Sequence, residues 1–265
     1  MSAGVPAGHA TEAGKSLDPA SEESRGLAST VVFWDFDGTI AERPGHWSSC
    51  MLDALEPFWP QHGLTVDTLE VHLRTGFPWQ DTSVDRRHLT QPDAWWGALE
   101  TVLRAAYLNA GIPEHVVDDA VAGVRPRFHA TETWRVIPGA RDALGRLQNA
   151  GVRQAVLSNH VPELPLIVDA LGLGGFFERV FTSAAIGWEK PHPGIFEYAL
   201  TEFGHPRDVW LIGDNPVADV EGATAVGIRP VLVEGSYLHN GGVSRASAVR
   251  EVLAGQTVKG RSRAR

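Results

Sequence analysis

The 265-residue chain has very little cysteine and lysine. Cys50 is the only cysteine, which excludes an internal disulfide framework and any metal site built from several thiolates. A single free thiol fits a reducing compartment, and we expect a cytoplasmic protein. Three of the 23 basic residues are lysines, and Lys190 is the only one between Lys15 and Lys259. An isolated lysine in an arginine-rich chain suggests that its position requires a compact cation.

The chain also lacks excess positive charge and long apolar runs. Its net charge is −9 and its pI is about 5.6, so we expect neither nucleic acid nor a membrane surface as a partner. No apolar run is long enough to span a bilayer, and residues 1–29 lack the apolar core of a signal peptide. We expect a disordered tail at 1–29 and a basic tail at 255–265. The sequence does not indicate an oligomeric state.

Short apolar runs with polar or small residues at their ends predict five β-strands. They lie at 31–37, 154–159, 179–183, 209–215 and 229–234. Segments with helical spacing separate the later runs, and this alternation is typical of a parallel sheet covered on both faces. The fold class is therefore predicted to be α/β, with a doubly wound, Rossmann-like parallel sheet.

Residues 45–135 have a different pattern. Helical spacing recurs near 47–59, 66–75, 92–110 and 114–127, with no convincing strand, and the segment holds six of the nine tryptophans. We interpret it as a helical cap inserted into a catalytic core formed by residues 30–44 and 136–254.

Polar residues follow the apolar runs where a parallel sheet binds ligands, at the carboxyl ends of its strands. Asp35 and Asp37 flank Phe36 in "DFDGT", and two acids this close repel unless a cation lies between them or one is protonated. An ordinary Asp-Gly turn is an equally good interpretation of this stretch alone. Ser158 in "LSNH" could face an anion together with the following backbone N–H groups, or could simply cap the next helix.

Two further segments carry charge. Asp214 in "GDNPVAD" ends an apolar run and offers the hard oxygen ligand that magnesium prefers, whereas Asp219 could merely stabilise a helix N-terminus. Lys190 in "EKPHPGIF" suits a crowded site of carboxylates and one phosphate, although a surface lysine paired with Glu189 is the simpler alternative.

Together these segments resemble the haloacid dehalogenase-like hydrolase superfamily. The joint pattern spans roughly residues 30–254 and is far more specific than any single motif. The "EKPHPGIFEYAL" stretch is most similar to the subfamily with a helical cap after the first motif. The resemblance implies a magnesium-dependent phosphatase that acts on a small phosphorylated metabolite.

The resemblance also implies a role for each residue. Asp35 is expected to be the nucleophile that forms an aspartyl-phosphate, and Asp37 the general acid and then the base. Ser158, Asn159 and Lys190 are expected to bind the substrate's phosphoryl group, with Lys190 also orienting the nucleophile. The implied Mg²⁺ ligands are the Asp35 side chain, the Asp37 main-chain carbonyl and Asp214, supported by Asp219.

Other functions on the same core stay open. A 2-haloacid dehalogenase would need neither magnesium nor Asp37, and a non-catalytic module would usually lack one of the acids. A phosphomutase is harder to exclude, whereas phosphonatase chemistry would need a cap lysine that the sequence does not contain.

The chain departs from the family pattern after "DFDGT", where it reads "IAERPGHW". His160 could face the cap or be a structural residue at a helix start. In the cap, Trp79, Arg86, Arg87 and His88 fall between predicted helices, where loops often carry recognition. They could read the leaving group, or Trp79 could pack in the cap core with the arginines solvated.

Overall fold

The computed structural model describes residues 30–237 and 241–262, with side chains described through residue 255. The tail predicted at 1–29 lies outside the described residues. A helix extends from Arg245 to Ser262, and the basic tail at 255–265 stays a prediction.

Five parallel strands form the main sheet. They are β1 (Thr30–Trp34), β4 (Arg153–Ser158), β5 (Arg179–Thr182), β6 (Asp208–Gly213) and β7 (Arg229–Leu232). The strand order is β5-β4-β1-β6-β7, which places β1 between β4 and β6. The predicted doubly wound α/β fold is confirmed.

Successive side chains of β1 point to opposite faces of the sheet, so this strand contributes to the hydrophobic packing on both faces. Val32 and Trp34 pack in one hydrophobic cluster, and Val31 and Phe33 pack in the other. All four side chains are fully buried, as expected for a central strand covered by helices on both sides.

Core helices cover the two faces. They are α5 (Ala140–Asn149), α6 (Leu164–Ala170), α7 (Ser183–Ile186), α8 (Pro193–Glu202), a π-helical turn (Pro216–Glu221), α9 (Gly222–Ala225) and α10 (Arg245–Ser262). The Trp34 face packs against α5, α6 and α10, and the Phe33 face packs against α8 and α9. Among the residues described, no helix is long and apolar enough to cross a membrane.

The cap consists of α1 (His46–Leu55), α2 (Val66–Glu70), α3 (Pro92–Asn109) and α4 (Glu114–His129). Tyr107 anchors α3 by donating to the Met51 carbonyl of α1 at 2.5 Å. A short antiparallel ribbon of β2 (Ala41–Glu42) and β3 (Arg135–Val136) joins cap to core. The sequence did not predict this ribbon, because two residues are too few to show an alternation.

Candidate active site

The carboxyl ends of three neighbouring strands open into one cavity. Asp35 follows β1, Ser158 ends β4, and Asp214 follows β6. Asp37 lies in the turn after β1, and Lys190 reaches the same place from the loop between α7 and α8. All five line a cavity of about 730 Å³, so the topology brings together residues that lie up to 179 positions apart in the chain.

Asp35 lies at the centre of this arrangement. Its Oδ1 accepts hydrogen bonds from Ser158 Oγ at 2.9 Å and from Lys190 Nζ at 2.7 Å. Burial raises its pKa to about 6, although the Lys190 ammonium lowers it. One oxygen is thus held by two donors, which fixes the orientation of the carboxylate.

Lys190 is buried, with 2% of its side chain exposed. Its Nζ also donates to Asp219 Oδ1 at 2.5 Å, so the ammonium lies between two carboxylates and the surface-lysine interpretation is wrong. Asn159 holds the Lys190 main chain: its Oδ1 accepts from Lys190 N at 2.7 Å and its Nδ2 donates to Lys190 O at 2.9 Å. The Asn159 amide therefore positions the lysine loop, and its contact with substrate stays a prediction.

Three buried acids could hold a metal ion. Asp35, Asp214 and Asp219 each offer an oxygen within 4.8 Å of the others. Burial, Asp35 and Asp219 raise the pKa of Asp214 to about 8. With one ammonium for three carboxylates, the cluster has an excess of negative charge, and a hard divalent cation such as Mg²⁺ fits its oxygen donors.

Both carboxylate oxygens of Asp219 already accept hydrogen bonds. Its Oδ1 pairs with Lys190, and its Oδ2 accepts from the Asn215 backbone N–H at 2.9 Å. Asp214, in contrast, fits against Gly38 and Gly235, where an added Cβ would overlap its carboxylate. Gly38 also adopts φ +77°, so both the turn and the close approach require glycine here.

Asp37 lies between two histidines. His46 Nε2 is 3.4 Å and His160 Nε2 is 3.6 Å from Asp37 Oδ2. Burial opposes ionisation of Asp37, but His160 and His46 outweigh it and hold the pKa of this carboxyl below its ordinary value.

His160 faces both the cap and Asp37. The centroid of its ring lies 5.6 Å from the ring centroid of Phe36 in the core and 5.7 Å from that of Phe128 in the cap. The following helix begins only at Leu164, so the alternative of a histidine at a helix start is wrong. His46, Tyr237 and Arg245 are site residues that sequence reasoning missed.

Arg245 and Tyr237 support the turns beside the acids. Arg245 is buried and donates to the carbonyls of Thr39 at 2.5 Å and Gly38 at 2.9 Å. Tyr237 Oη donates to the Arg43 carbonyl at 3.0 Å. Because Arg245 comes from the last helix and Tyr237 from the loop after β7, no local pattern links either residue to "DFDGT".

The cap wall of the cavity is aromatic. Trp47, Trp79 and Phe128 line it, together with His46 and Glu70. Trp79 thus reaches the cavity. It also packs in the cap, where its ring stacks on Phe77 with ring centroids 4.6 Å apart.

Arg86, Arg87 and His88 do not line the cavity, so Trp79 is the one of these four residues that stays a candidate, and its contact with the leaving group stays a prediction. Arg87 pairs with Asp85 on the surface, and its guanidinium lies 5.4 Å from the Trp188 ring. Arg86 N donates to the Gly187 carbonyl at 3.1 Å. An added Cβ on Gly187, whose φ is +85°, would overlap the Arg87 backbone, so this loop docks the cap on the core.

A second contact joins cap and core at Glu163. Its carboxylate accepts from Trp96 Nε1 at 3.1 Å and Arg125 Nη2 at 2.7 Å, and lies 3.2 Å from His129 Nε2. Burial would raise the pKa of Glu163, but these cap partners lower it to about 2. Glu163 is therefore ionised at neutral pH and bridges α3 and α4 to the core.

Comparison with known proteins agrees with this architecture. A family model described as haloacid dehalogenase-like hydrolase matches residues 30–227. Human haloacid dehalogenase-like hydrolase domain-containing protein 3 is 36% identical over 181 residues, which cover 66% of this chain and 71% of the human protein. Glyceraldehyde 3-phosphate phosphatase of Pyrococcus furiosus is 37% identical over 214 residues, covering 76% of this chain and 79% of that protein.

The fold is also similar to that of solved structures. A phosphatase structure from Thermococcus onnurineus superposes with a TM-score of 0.57 at 17% identity, covering 84% of this chain and 97% of the other. At this identity the likeness shows the shared fold.

Proposed function

The chain belongs to the haloacid dehalogenase-like hydrolase family, and we propose that it is a magnesium-dependent phosphatase that acts on a small phosphorylated metabolite. The observation that carries the proposal is the double contact on Asp35 Oδ1, from Ser158 and Lys190, beside a cluster of buried acids. A carboxylate held in one orientation beside a cation is prepared to act as a nucleophile.

In the first step, Asp35 attacks phosphorus and the ester P–O bond breaks. Because both donors hold Oδ1, we assign the attack to Oδ2. The leaving oxygen takes a proton from Asp37, and Lys190 stabilises the charge that develops on the phosphoryl group. The incoming phosphoryl group places negative charge beside Asp37, which raises its pKa and favours the protonated form that the step requires.

In the second step, Asp37 accepts a proton from water as the water oxygen attacks phosphorus. The bond between Asp35 and phosphorus breaks, inorganic phosphate leaves, and the Asp35 carboxylate is restored. His46 and His160, at 3.4 and 3.6 Å from Asp37 Oδ2, hold this carboxylate in place and favour its ionised form as the base.

Mg²⁺ would be held by the Asp35 side chain, the Asp37 main-chain carbonyl and Asp214. Asp219 orients Lys190 by accepting a hydrogen bond from its ammonium. When bound, the ion neutralises the repulsion between the anionic nucleophile and the anionic phosphoryl group.

Asp37 argues against dehalogenation, which would not use this acid, and the full set of acids argues against a non-catalytic module. The phosphatase relative from P. furiosus supports a small phosphorylated substrate. A phosphomutase would share the first step and differ in the acceptor of the phosphoryl group.

The test is release of inorganic phosphate from p-nitrophenyl phosphate in Mg²⁺, with an acid-quenched sample analysed by peptide mass spectrometry. We expect steady turnover and a phosphorylated peptide that carries the modification on Asp35. Turnover with the phosphoryl group on another residue, or no turnover at all, would overturn the proposal.

A further inference from the structure

We propose that the preferred substrate is a phosphate monoester whose leaving group offers a flat aromatic face and carries no second anionic group. This inference rests on the proposed function and assigns the substrate class of the same cavity. The Trp47, Trp79 and Phe128 rings of the cap wall, which the proposed chemistry does not use, support it.

Three of the five cap residues that line the cavity are tryptophan or phenylalanine. The Trp47 and Phe128 rings stack with centroids 4.3 Å apart and planes 25° apart. Trp79 is nearly parallel to Trp47, at 27° and 6.0 Å, and it is the partly exposed member of the three. A leaving group with its own ring can extend this stack, and a favourable ring contact adds to the burial of apolar area.

Charge on this side of the cavity disfavours a second anion. Of the described residues that line the cavity, Lys190 is the one lysine or arginine, and it is held by Asp35 and Asp219. His46 and His160 face Asp37. The charged side chain that α2 adds to the lining is Glu70, an acid.

Two arginines of the cap are held in ion pairs outside the cavity lining. Arg87 pairs with Asp85, and Arg125 pairs with Asp93 and Glu163. A carboxylate or second phosphate on the leaving group would therefore lose its water beside indole and phenyl rings without gaining a cation, which is unfavourable.

One polar group of the cap wall is unmatched. The Trp47 indole N–H is buried without a hydrogen-bond partner. As a neutral donor, it cannot neutralise a carboxylate on the leaving group. The aromatic face and the neutral donor together fit an uncharged aromatic alcohol.

The experiment compares kcat/KM for three synthetic esters: benzyl phosphate, 4-carboxybenzyl phosphate and glycerol 3-phosphate. All three release an alkyl alcohol, so the comparison reports recognition more than leaving-group acidity. We expect benzyl phosphate to exceed glycerol 3-phosphate by roughly tenfold and 4-carboxybenzyl phosphate by roughly a hundredfold, the scale of leaving a buried charge unpaired.

Variants at Trp79 sharpen the test. Trp79→Leu should lower kcat/KM for benzyl phosphate by roughly tenfold more than kcat/KM for glycerol 3-phosphate, while Trp79→Phe should retain most of the preference. Trp79→Arg should improve 4-carboxybenzyl phosphate relative to benzyl phosphate. Circular dichroism confirms that each variant is folded, and Phe58→Leu, an exposed aromatic outside the cavity, serves as the control.

The outcomes separate the two claims. Hydrolysis of 4-carboxybenzyl phosphate as fast as benzyl phosphate, or faster, would overturn this inference and leave the phosphatase assignment standing. Equal loss on every ester in Trp79→Leu would also overturn it, because Trp79 would then support cap structure rather than recognition. No hydrolysis of any ester in Mg²⁺ would refute the proposed function, and this inference with it.

Discussion

The two walls of the cavity differ in the kind of side chain they carry. The core wall holds four aspartates and the Lys190 ammonium, all brought to one sheet edge. The cap wall presents Trp47, Trp79 and Phe128, while Arg87 and Arg125 form ion pairs away from the cavity. Charge that acts on the phosphoryl group is thus concentrated on the sheet, and the cap helices supply mainly aromatic rings, with Glu70 as their acid. This difference suggests that mutations can change catalysis and substrate selection independently.

The largest effect should come from the core wall. Asp35→Asn removes the nucleophile but keeps nearly the same shape, so turnover of every ester should fall by roughly four to six orders of magnitude. A rate assay with circular dichroism measures this. Asp142→Asn, an exposed change on α5, is the matched control and should behave as wild type. Near-normal turnover in Asp35→Asn would refute the mechanism.

Removal of metal should also act on the core wall alone. A chelator should abolish turnover, and added Mg²⁺ should restore it, because Asp35 and Asp214 repel without a hard cation. Ca²⁺ should bind and support little turnover, since its looser coordination misplaces the nucleophile. Thermal unfolding with and without each ion reports binding independently of activity. Full activity after exhaustive chelation would contradict the assigned chemistry.

Lys190 tests whether the core wall needs shape as well as charge. Lys190→Arg should lose roughly a hundredfold or more in kcat, close to the loss in Lys190→Ala. The broad guanidinium does not match a position where Nζ lies 2.7 Å from Asp35 Oδ1 and 2.5 Å from Asp219 Oδ1. Steady-state kinetics compares the two variants, and an arginine variant close to wild type would mean that only net charge matters.

The smallest effect should come from Glu163, whose contacts join the cap to the core. Glu163→Gln keeps an acceptor for Trp96 but removes the ion pair with Arg125 and alters the contact with His129, so kcat/KM should fall by roughly threefold to tenfold through looser cap closure. Glu178→Gln, which breaks an exposed pair with Arg153, is the matched control and should have little effect. Equal kinetics in the two variants would show that Glu163 does not hold the cap.

The pH dependence of this contact follows from the sign of the pKa shift. Glu163 has a folded-state pKa of about 2, below its ordinary 4.5, so its contribution to stability is present above about pH 4.5 and is lost as the pH falls toward 2. The ionisation of Glu163 should therefore add no pH dependence to the defect of Glu163→Gln between pH 6 and 8, as measured by kcat/KM.

The core could be predicted further from the sequence than the cap. The strands follow from short apolar runs, and parallel strands gather their carboxyl ends at one edge, which is why Asp35, Ser158 and Asp214 were expected together. Asp37 was predicted from its place beside Asp35 in "DFDGT", and Lys190 from its isolation in a lysine-poor chain. The structure brings both to the same cavity.

Side-chain direction in the cap could not be predicted in the same way. Arginine in a loop suggested recognition, yet the close approach of the Arg87 backbone to Gly187 turns this loop toward the core surface. His46, Tyr237 and Arg245 enter the site from a cap helix, a late loop and the last helix. Their positions depend on tertiary packing, which no local periodicity records.

The most direct test of the separation between the walls is the ratio of kcat/KM for benzyl phosphate to that for glycerol 3-phosphate, measured in wild type, Lys190→Arg and Trp79→Leu. We expect Lys190→Arg to lower both rate constants and leave the ratio unchanged, because Lys190 acts on the phosphoryl group common to both esters. Trp79→Leu should lower the ratio by roughly tenfold. A ratio that shifts in Lys190→Arg and stays constant in Trp79→Leu would contradict the account.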